Sequence, residues 1–527
     1  MEVRFQRVNH RTGNESVLLK FRGVVAGQTA CVLVDSGRGV DVSAQLEDDE
    51  HLVTVLVTHA HADHVRSLGE NVGHGVPVLA AEPTAAALAN ALDADDRADD
   101  GADAALDGLE GLSGWRTILG DDAVRVHPVP AGHAPGASGF LVQFRDDDVV
   151  RHLLVTGDFT TTQVAGYPSL PSTLPVNVEA MLVNVATAED YEGTLQSVIE
   201  TTLAHALEGR RTLLTARPLA AVHLARLLDA VVERFALDAS VRAVGRPATL
   251  YAALDLPSDD VEVTPEYADP DAVLDAGTIT VGSPETPAAG DAKRLFAAIE
   301  RDADAALVQA TTGAHDAATP AACRTDAFEL RAHPTADDVD AIVEGYDPLH
   351  VVVAHEDGPA LDAYKDEYAA FVWANQDAIE QTLYADGDWR APPWVSERAE
   401  RYVHGNTADA DGTVLDDERT LDADLPAVAA DDVCLDAEGV DIAALADRFG
   451  STLPTAVDES AESDADDRLD AVLTRLDAIE SRLAERASVG EPVPVTVDEF
   501  GDRTVLVLPE TVHVEDGDDV DVYVDEG

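Results

Sequence analysis

Three histidines and one aspartate lie within nine residues of the chain, in the stretch "VTHAHADHV" at positions 57–65. His59 and His61 are separated by one residue, so both imidazoles can reach one metal ion from an extended stretch. Asp63 and His64 follow where the chain is predicted to become helical, which directs them at a second metal ion. Zinc accepts imidazole and carboxylate ligands, so this spacing predicts a metal site.

Three further metal-ligating side chains follow apolar runs that are predicted to be strands. His133 lies in "PAGHAPGAS", Asp158 in "LLVTGDF" and His355 in "VVVAHED". Each of them alone could equally cap a turn. All three share the position of the histidine-rich stretch, at the end of an apolar strand, and this shared position favours their convergence on one site.

The order of these motifs resembles the metallo-β-lactamase fold superfamily. "LVDSG" with Asp35, "THAHADH", "AGH" and "TGD" match its four sequential motifs over residues 1–190, and the resemblance resumes over residues 325–395. The insert between them resembles the β-CASP cap of the nuclease branch, which includes ribonuclease J and the cleavage and polyadenylation nuclease subunit. His333 and His355 fit the two histidines that follow this cap, and a histidine at the second position is typical of RNA-acting members.

The resemblance implies seven ligands for two zinc ions. They are His59, His61 and His133 on one ion, Asp63, His64 and His355 on the other, and Asp158 as the bridge between them. Asp35 would orient the ligands of the histidine-rich loop, and His333 would be the general acid that protonates the leaving oxygen. Two metal ions about 3.5–4 Å apart share a bridging hydroxide that attacks phosphorus.

The sequence departs from the nuclease branch near its acidic motif A. Asn184 stands where the acid is expected, and Glu189 and Asp190 are close by but out of register. In that branch the acid positions the histidine that corresponds to His333. We therefore expect the protonation of the leaving group to be weakened in this chain.

A relatively basic segment lies inside the insert. Residues 210–246 contain seven arginines against three acids, and arginine suits bidentate phosphate contacts better than lysine does. Arg217 in this segment and Arg331 after it are the predicted substrate-binding residues. Pairing of these arginines with surrounding acids is an equally good interpretation of the same segment.

The composition sets the environment of the chain. Against 101 acidic residues there are 35 basic ones, for a formal net charge of −66, while 46% of the residues are hydrophobic. This balance resembles haloarchaeal proteins, which work at salt concentrations that screen long-range repulsion, so the charge does not exclude RNA as a partner. Three separated cysteines and the absence of a membrane-length apolar run predict a cytoplasmic chain with no membrane association.

The pattern along the chain predicts an α/β fold: an αββα metallo-β-lactamase sandwich with an inserted β-CASP-like α/β cap and a C-terminal coiled-coil/β extension. Residues 1–190 and 325–398 would form the sandwich and residues 191–324 the cap. Residues 399–467 are predicted to be an acidic linker, 468–487 a short coiled coil and 491–527 a small β segment. The stretch "DEYAAFVWANQDAIEQTLY", residues 366–384, is predicted to be a helix.

The apolar positions of the coiled coil are Leu469, Val472, Leu476, Ile479 and Leu483, spaced three and four residues apart. This a/d spacing favours a homo-oligomer formed through residues 469–483, although an amphipathic helix docked on its own domain would show the same spacing.

Three functions are consistent with these motifs. The first is a dinuclear-zinc ribonuclease, similar to mRNA 3′-end processing factors. The second is a small-molecule ester or thioester hydrolase of the same fold, which would explain why the cap lacks the G-R-x-Q-E helix start of the nuclease branch and has "TARPLAAVHLARLL" there instead. The third is a metal-binding partner subunit of an RNA-processing nuclease with weakened catalysis, which the asparagine in motif A favours.

Overall fold

The computed structural model describes residues 1–73, 75–93, 100–257, 260–313, 318, 321–356, 358–375, 378–396, 398, 403, 413–414, 424–450, 496–500 and 503–507. Contacts divide the chain into two units, Met1–Thr452 and Leu453–Gly527. No helix among the described residues is long and apolar enough to cross a lipid bilayer.

The first unit contains two mixed sheets and one parallel sheet. The first mixed sheet has eight strands, which in spatial order are β21 (Asp388–Trp389), β20 (Gln381–Ala385), β1 (Glu2–Arg7), β2 (Val17–Val25), β3 (Gln28–Val34), β4 (Glu50–Val57), β5 (Val78–Ala81) and β6 (Leu109–Leu112). Strands β1 to β3 are antiparallel neighbours, whereas β3 to β6 run parallel. The parallel half brings the ends of β3 and β4 to one edge of the sheet.

The second mixed sheet runs in the spatial order β19 (Phe371–Trp373), β18 (His350–Ala354), β11 (Ala180–Asn184), β10 (Val149–Val155), β9 (Ser138–Asp146), β8 (Val124–Pro130) and β7 (Arg116–Leu119), and β22 (Thr413–Val414) also pairs with β10. Strands β10, β11, β18 and β19 are parallel. Their carboxyl ends therefore meet at one edge, where Asn184 ends β11 and where Asp158 and His355 follow β10 and β18.

The third sheet is entirely parallel and is built from the insert. Its strands in spatial order are β14 (Glu262–Thr264), β13 (Ser240–Val244), β15 (Thr278–Gly282), β12 (Arg211–Thr215), β16 (Ala305–Thr311) and β17 (Arg324–Glu329). Parallel strands need crossover connections, which are usually helices, and the long helices of the insert supply them.

The described helices of the first unit are α1 (Ala62–Val65), α2 (Leu68–Asn71), α3 (Glu82–Asp93), α4 (Asp100–Asp107), α5 (Tyr191–Leu207), α6 (Pro218–Arg234), α7 (Arg246–Ala253), α8 (Gly290–Ile299), α9 (Ala336–Tyr346), α10 (Gly358–Ala363) and α11 (Ile442–Phe449). Short 3-10 turns lie at Pro270–Val273 and Tyr364–Asp366. Helix α9 begins at a capping box, in which Thr335 and Asp338 each accept the other's backbone amide hydrogen bond.

Successive side chains of each strand point to opposite faces of the sheet, so each sheet contributes to separate apolar clusters on its two faces. On β4, Leu56 belongs to the apolar cluster between the two mixed sheets, whereas Val55 and Val57 pack towards helices α2 to α4 on the other face. On β11, Leu182 faces that same intersheet cluster and Met181 faces a cluster that contains α5 and α6. Helices therefore cover the outer faces of both mixed sheets, as the period-2 pattern of the strands requires.

The predicted helix at residues 366–384 is wrong. Phe371, Val372 and Trp373 form strand β19, which pairs with β18, and Gln381–Ala385 form β20, which pairs with β1. Phe371 and Trp373 are buried between the sheets while Val372 packs on the opposite side. Sheet pairing at two edges outweighs the helical propensity of the alanines in this stretch.

Part of the stretch predicted to be an acidic linker packs against the rest of the first unit. Within residues 424–450, Leu435, Val440 and Leu445 join the cluster that contains α5 and α6. The amide of Asp431 donates to the carbonyl of Gly166 at 3.0 Å. The predicted coiled coil, residues 468–487, lies outside the described residues, and the second unit shows an antiparallel hairpin of β23 (Thr496–Phe500) and β24 (Arg503–Val507).

Candidate metal centre and active site

The histidine-rich loop begins where β4 ends. The Asp35 carboxylate, which follows β3 and is buried, accepts hydrogen bonds from the Thr58 amide and the Thr58 hydroxyl, both at 2.8 Å. The same carboxylate lies 2.7 Å from Nδ1 of His64. Asp35 therefore contacts both ends of the loop and leaves Nε2 as the free nitrogen of His64, a geometry compatible with the orienting role that the resemblance implies.

Asp158 lies at the centre of the site, at the carboxyl end of β10. Oδ1 of Asp158 lies 2.6 Å from Nδ1 of His355 and accepts a hydrogen bond from the side-chain amide of Asn184 at 3.0 Å. Around Oδ2 lie the Nε2 atoms of His64 at 3.3 Å, His133 at 3.7 Å and His59 at 3.9 Å. One carboxylate therefore touches both groups of predicted ligands.

The first predicted ligand set is brought together by the fold. Ligand atoms of His59, His61 and His133 lie within 4.8 Å of one another, and Nδ1 of His61 is 3.0 Å from Nε2 of His133. Nδ1 of His133 lies 2.6 Å from the carbonyl of Ala332. With its proton committed to that carbonyl, His133 presents a lone pair at Nε2.

The second predicted ligand set also converges. Asp63, His64 and His355 offer ligand atoms within 4.8 Å of one another. His355 follows β18 in a left-handed backbone conformation, with φ of 57°. The structure therefore gathers all seven predicted ligands at one place, from segments almost 300 residues apart in the chain.

The protonation of these imidazoles divides them into two groups. Burial lowers the pKa of His59 and of His133, and it lowers the pKa of His61 to about 3, so these three rings are neutral at neutral pH. Burial also disfavours the charged forms of His64 and His355, but Asp158 outweighs it and raises their pKa values. The same two rings hold the pKa of Asp158 well below its usual value, against burial.

Orphaned buried atoms show that the site fits a metal ion. Nε2 of His59 and Nε2 of His64 are buried without any hydrogen-bond partner, and a buried polar atom left unpaired costs about 1–3 kcal/mol. Divalent cations bound by the two ligand sets would satisfy both atoms, His59 in the first set and His64 in the second. Imidazole nitrogens with one bridging carboxylate are a ligand set suited to zinc.

His333 lies beside this cluster. One of its ring nitrogens lies within 4.8 Å of ligand atoms of His133 and Asp158, and its Nδ1 is buried without a partner. Burial lowers the pKa of His333 to about 3. Among the described residues no carboxylate forms a hydrogen bond to His333. Asn184 stands where the resemblance leads us to expect an acid, and its side-chain amide donates to Asp158.

A cavity of about 460 Å³ opens over the cluster. Its lining combines five of the predicted ligands, two arginines, His333 and a wall contributed by the insert; the principal residues are His61, Asp63, His133, Asp158, Tyr191, Arg217, His223, Arg331, His333 and His355. Arg217 and Arg331, the two predicted substrate-binding residues, therefore both border the cavity. Their side chains remain 38% and 47% exposed, and both lie near carboxylates: Arg217 is 4.0 Å from Asp63 and 3.6 Å from Glu285, and Arg331 is 2.9 Å from Glu329.

Most described arginines of the basic segment are engaged with other groups. Arg210 pairs with Glu208 at 2.8 Å, Arg211 pairs with Asp271, and Arg242 pairs with Glu262 and Asp275 at 2.8 and 2.9 Å. Arg226 is buried and donates to the carbonyl of Ala165. Pairing with surrounding acids therefore accounts for much of the segment, and Arg217 is its arginine at the cavity.

Sequence reasoning missed one polar group at the cavity wall. Nε2 of His223, on α6, lies 2.6 Å from Oε2 of Glu438, which is completely buried. The Glu438 carboxylate also accepts the backbone amides of Ala165 and Gly166, at 3.0 and 2.6 Å. Glu438 carried no motif signal because it stands in the stretch whose acidity predicted a linker.

Comparisons with known proteins agree with this geometry. Residues 23–245 match the family model of the metallo-beta-lactamase superfamily, so this part of the chain is similar to a superfamily that consists mostly of metal-dependent hydrolases. The mixed α/β architecture is consistent with this fold, and the His and Asp clusters could hold the metal ions that such domains use.

No curated protein matches the chain. Among solved structures, the crystal structure of a protein of unknown function from Enterococcus faecalis V583 matches with 14% identity and a TM-score of 0.47, over 67% of this chain and 94% of that chain.

Proposed function

We propose that this chain is a dinuclear-zinc phosphodiesterase that cleaves RNA, similar to the β-CASP ribonucleases and mRNA 3′-end processing factors. The observation that carries the proposal is the convergence of seven metal-ligating side chains around Asp158 at the floor of a cavity bordered by two arginines. We assign the parallel third sheet and its helices to a β-CASP-like cap. The acidic composition supports a haloarchaeal-type cytoplasm as the setting.

The proposed cleavage assigns separate roles to the metal ligands, the two arginines, Asp35 and His333. Two bound zinc ions would supply a nucleophile at neutral pH and neutralise developing negative charge. Arg217 and Arg331 bind phosphate oxygens at the mouth of the cavity, because guanidinium groups match their geometry. Asp35 keeps His64 oriented, and His333 donates a hydrogen bond to the leaving oxygen.

The function is tested by RNA hydrolysis with protein loaded with Zn²⁺ in molar KCl. We expect end-labelled RNA to be cleaved. We expect His59→Ala to lower the rate by more than ~100-fold, because loss of a direct ligand should cost more than loss of a residue that only hydrogen-bonds to a ligand. His51→Ala is the matched control, since His51 is an exposed histidine on β4, the strand that precedes the histidine-rich loop. Metal-loaded wild-type protein that leaves RNA intact would contradict the proposal.

A small-molecule ester or thioester hydrolase is the second candidate. The observation that favours it is the modest volume of the cavity, about 460 Å³, together with the ion pairs that engage most arginines of the insert. Turnover of thioesters or lactones that RNA does not inhibit would support this function over the first.

A metal-binding partner subunit with weakened catalysis is the third candidate. The absence of a described carboxylate partner for His333 favours it, because a general acid is commonly positioned by such a group. Full zinc content without hydrolysis of any phosphodiester, in a stable complex with an active nuclease, would support it.

Self-association through residues 469–483 remains a separate proposal, tested by light scattering with and without these residues.

The proposed saline setting makes its own prediction. With a net charge of −66, the folded chain repels itself at low salt, and this repulsion is screened as the Debye length falls from about 10 Å at 0.1 M to about 3 Å at 1 M. We expect the melting temperature to rise steeply between these concentrations of KCl. A melting temperature that is unchanged across this range would contradict the halophilic assignment.

A further inference from the structure

The backbone at His355 needs an external support. His355 follows β18 with φ of 57°, a conformation that non-glycine residues seldom adopt unless their surroundings impose it. Its amide donates a hydrogen bond of 2.8 Å to the carbonyl of Asn14. The conformation that directs this imidazole at Asp158 is therefore tied to the loop between β1 and β2.

Asn14 provides a second tie to the same turn. Its side-chain amide donates to the carbonyl of Glu356 at 2.9 Å, so one residue holds the backbone on both sides of the His355 carbonyl carbon. Asn14 is fully buried and is itself left-handed, with φ of 63°. Asparagine tolerates this region better than most residues, and its side chain then reaches the neighbouring turn.

Arg7 lies beneath Asn14 and fixes it in turn. One guanidinium nitrogen of Arg7 donates to Oδ1 of Asn14 at 3.4 Å and the other donates to the carbonyl of Trp373 at 2.7 Å. Arg7 is 1% exposed, and no acidic side chain pairs with it in the part of the chain that the structure describes. No ion pair offsets the desolvation of this buried cation, which hydrogen-bonds only to neutral oxygens. This indicates that Arg7 serves to position the groups that it contacts.

We propose that Asn14, held by Arg7, is the positioning residue that aims His355 at the second metal ion. The proposal rests on the metal site assigned under the proposed function, but not on the substrate. Among the described residues, no hydrogen bond joins the side chains of His59, His61 or His133 to Asn14 or Arg7; these rings contact Thr58, Ala332, Asp158 and one another. The support therefore acts on one ion of the pair.

The test is zinc affinity measured by competition with a chromophoric chelator, together with the number of ions per chain. Asn14→Gly keeps the left-handed backbone accessible and removes only the side chain. We expect wild-type protein to bind two ions, and the variant to bind one of them about 10–100-fold more weakly while the other is unchanged. The visible spectrum of the Co²⁺-loaded protein should change at one site alone.

Two further variants make the result decisive. Gln309→Ala removes a buried amide that bonds the Ala318 backbone in the third sheet, and it should leave both affinities unchanged. Asn14→Asp keeps the contact with Arg7 but loses the donor to Glu356, and it should repeat the selective loss even if Asn14→Gly folds poorly. Equal affinities in folded Asn14→Asp and wild type would overturn the role of Asn14 alone, whereas wild-type protein that binds no zinc would overturn the metal site itself.

Discussion

Asp158→Asn is expected to remove at least one of the two metal ions and to lower the rate of hydrolysis severely. The carboxylate lies within 4 Å of four ligand imidazoles, with contacts from 2.6 to 3.9 Å, so it is the one side chain shared by both ligand sets. An amide has no negative charge to bridge two cations. Because metal ions supply several kcal/mol of transition-state stabilisation, we expect the rate to fall by at least ~1000-fold.

The metal content of Asp158→Asn should fall from two ions per chain to one or none by elemental analysis, in parallel with the loss of rate. Asp326→Asn is the matched control. Asp326 also pairs with a histidine, His205 at 2.9 Å, but it lies on β17 of the third sheet and does not line the cavity. A variant that keeps two ions and wild-type rate would show that Asp158 does not bridge the site.

The sequence allowed the proximity of these seven side chains to be predicted because each of them carries a local signal. The turn that follows an apolar strand is the same element at His133, Asp158 and His355, and parallel strands bring their carboxyl ends to one edge. Such signals survive in a single sequence, since both the strand and the ligand lie within ten residues. The convergence of the seven side chains then follows from two sheets packed face to face.

The parts that escaped prediction depend on partners distant in sequence. Strand β19 exists because β18 pairs with it and because Phe371 and Trp373 fill the space between the sheets; nothing within the segment itself distinguishes it from a helix. Asn14 reads as an ordinary turn residue until β18 places His355 against it. Neither contact is encoded in a motif or a spacing.

Glu438 shows the same limit most clearly, because acidic composition hid a buried residue. In a chain with 101 acidic residues, one more glutamate carries no information about burial. Its environment is specified by three donors from two other segments, namely the backbone amides at residues 165 and 166 and the imidazole of His223. The segment from 431 to 441 thereby links α6 of the insert to the loop after β10.

Glu438→Ala is expected to lower the free energy of unfolding by about 3–5 kcal/mol, the usual cost of removing one partner from a buried charged pair. The loss leaves His223 and two backbone amides without an acceptor next to the cavity. Burial raises the pKa of Glu438, but His223 and the two amides outweigh it and lower that pKa below the usual value. The contribution is therefore complete above the unfolded-state pKa and declines as the pH falls through the folded-state value.

Urea unfolding in molar KCl measures this loss, with Asp436→Ala as the control on an exposed acid of the same segment. A double-mutant cycle with His223→Ala should be strongly non-additive, since the two side chains share one contact. In Glu438→Gln one neutral oxygen still accepts a backbone amide, so the loss should be smaller and should not vary with pH. A full-length Glu438→Ala protein as stable as wild type would mean that residues 431–441 do not hold the insert against the core, and the cavity wall at His223 would need another support.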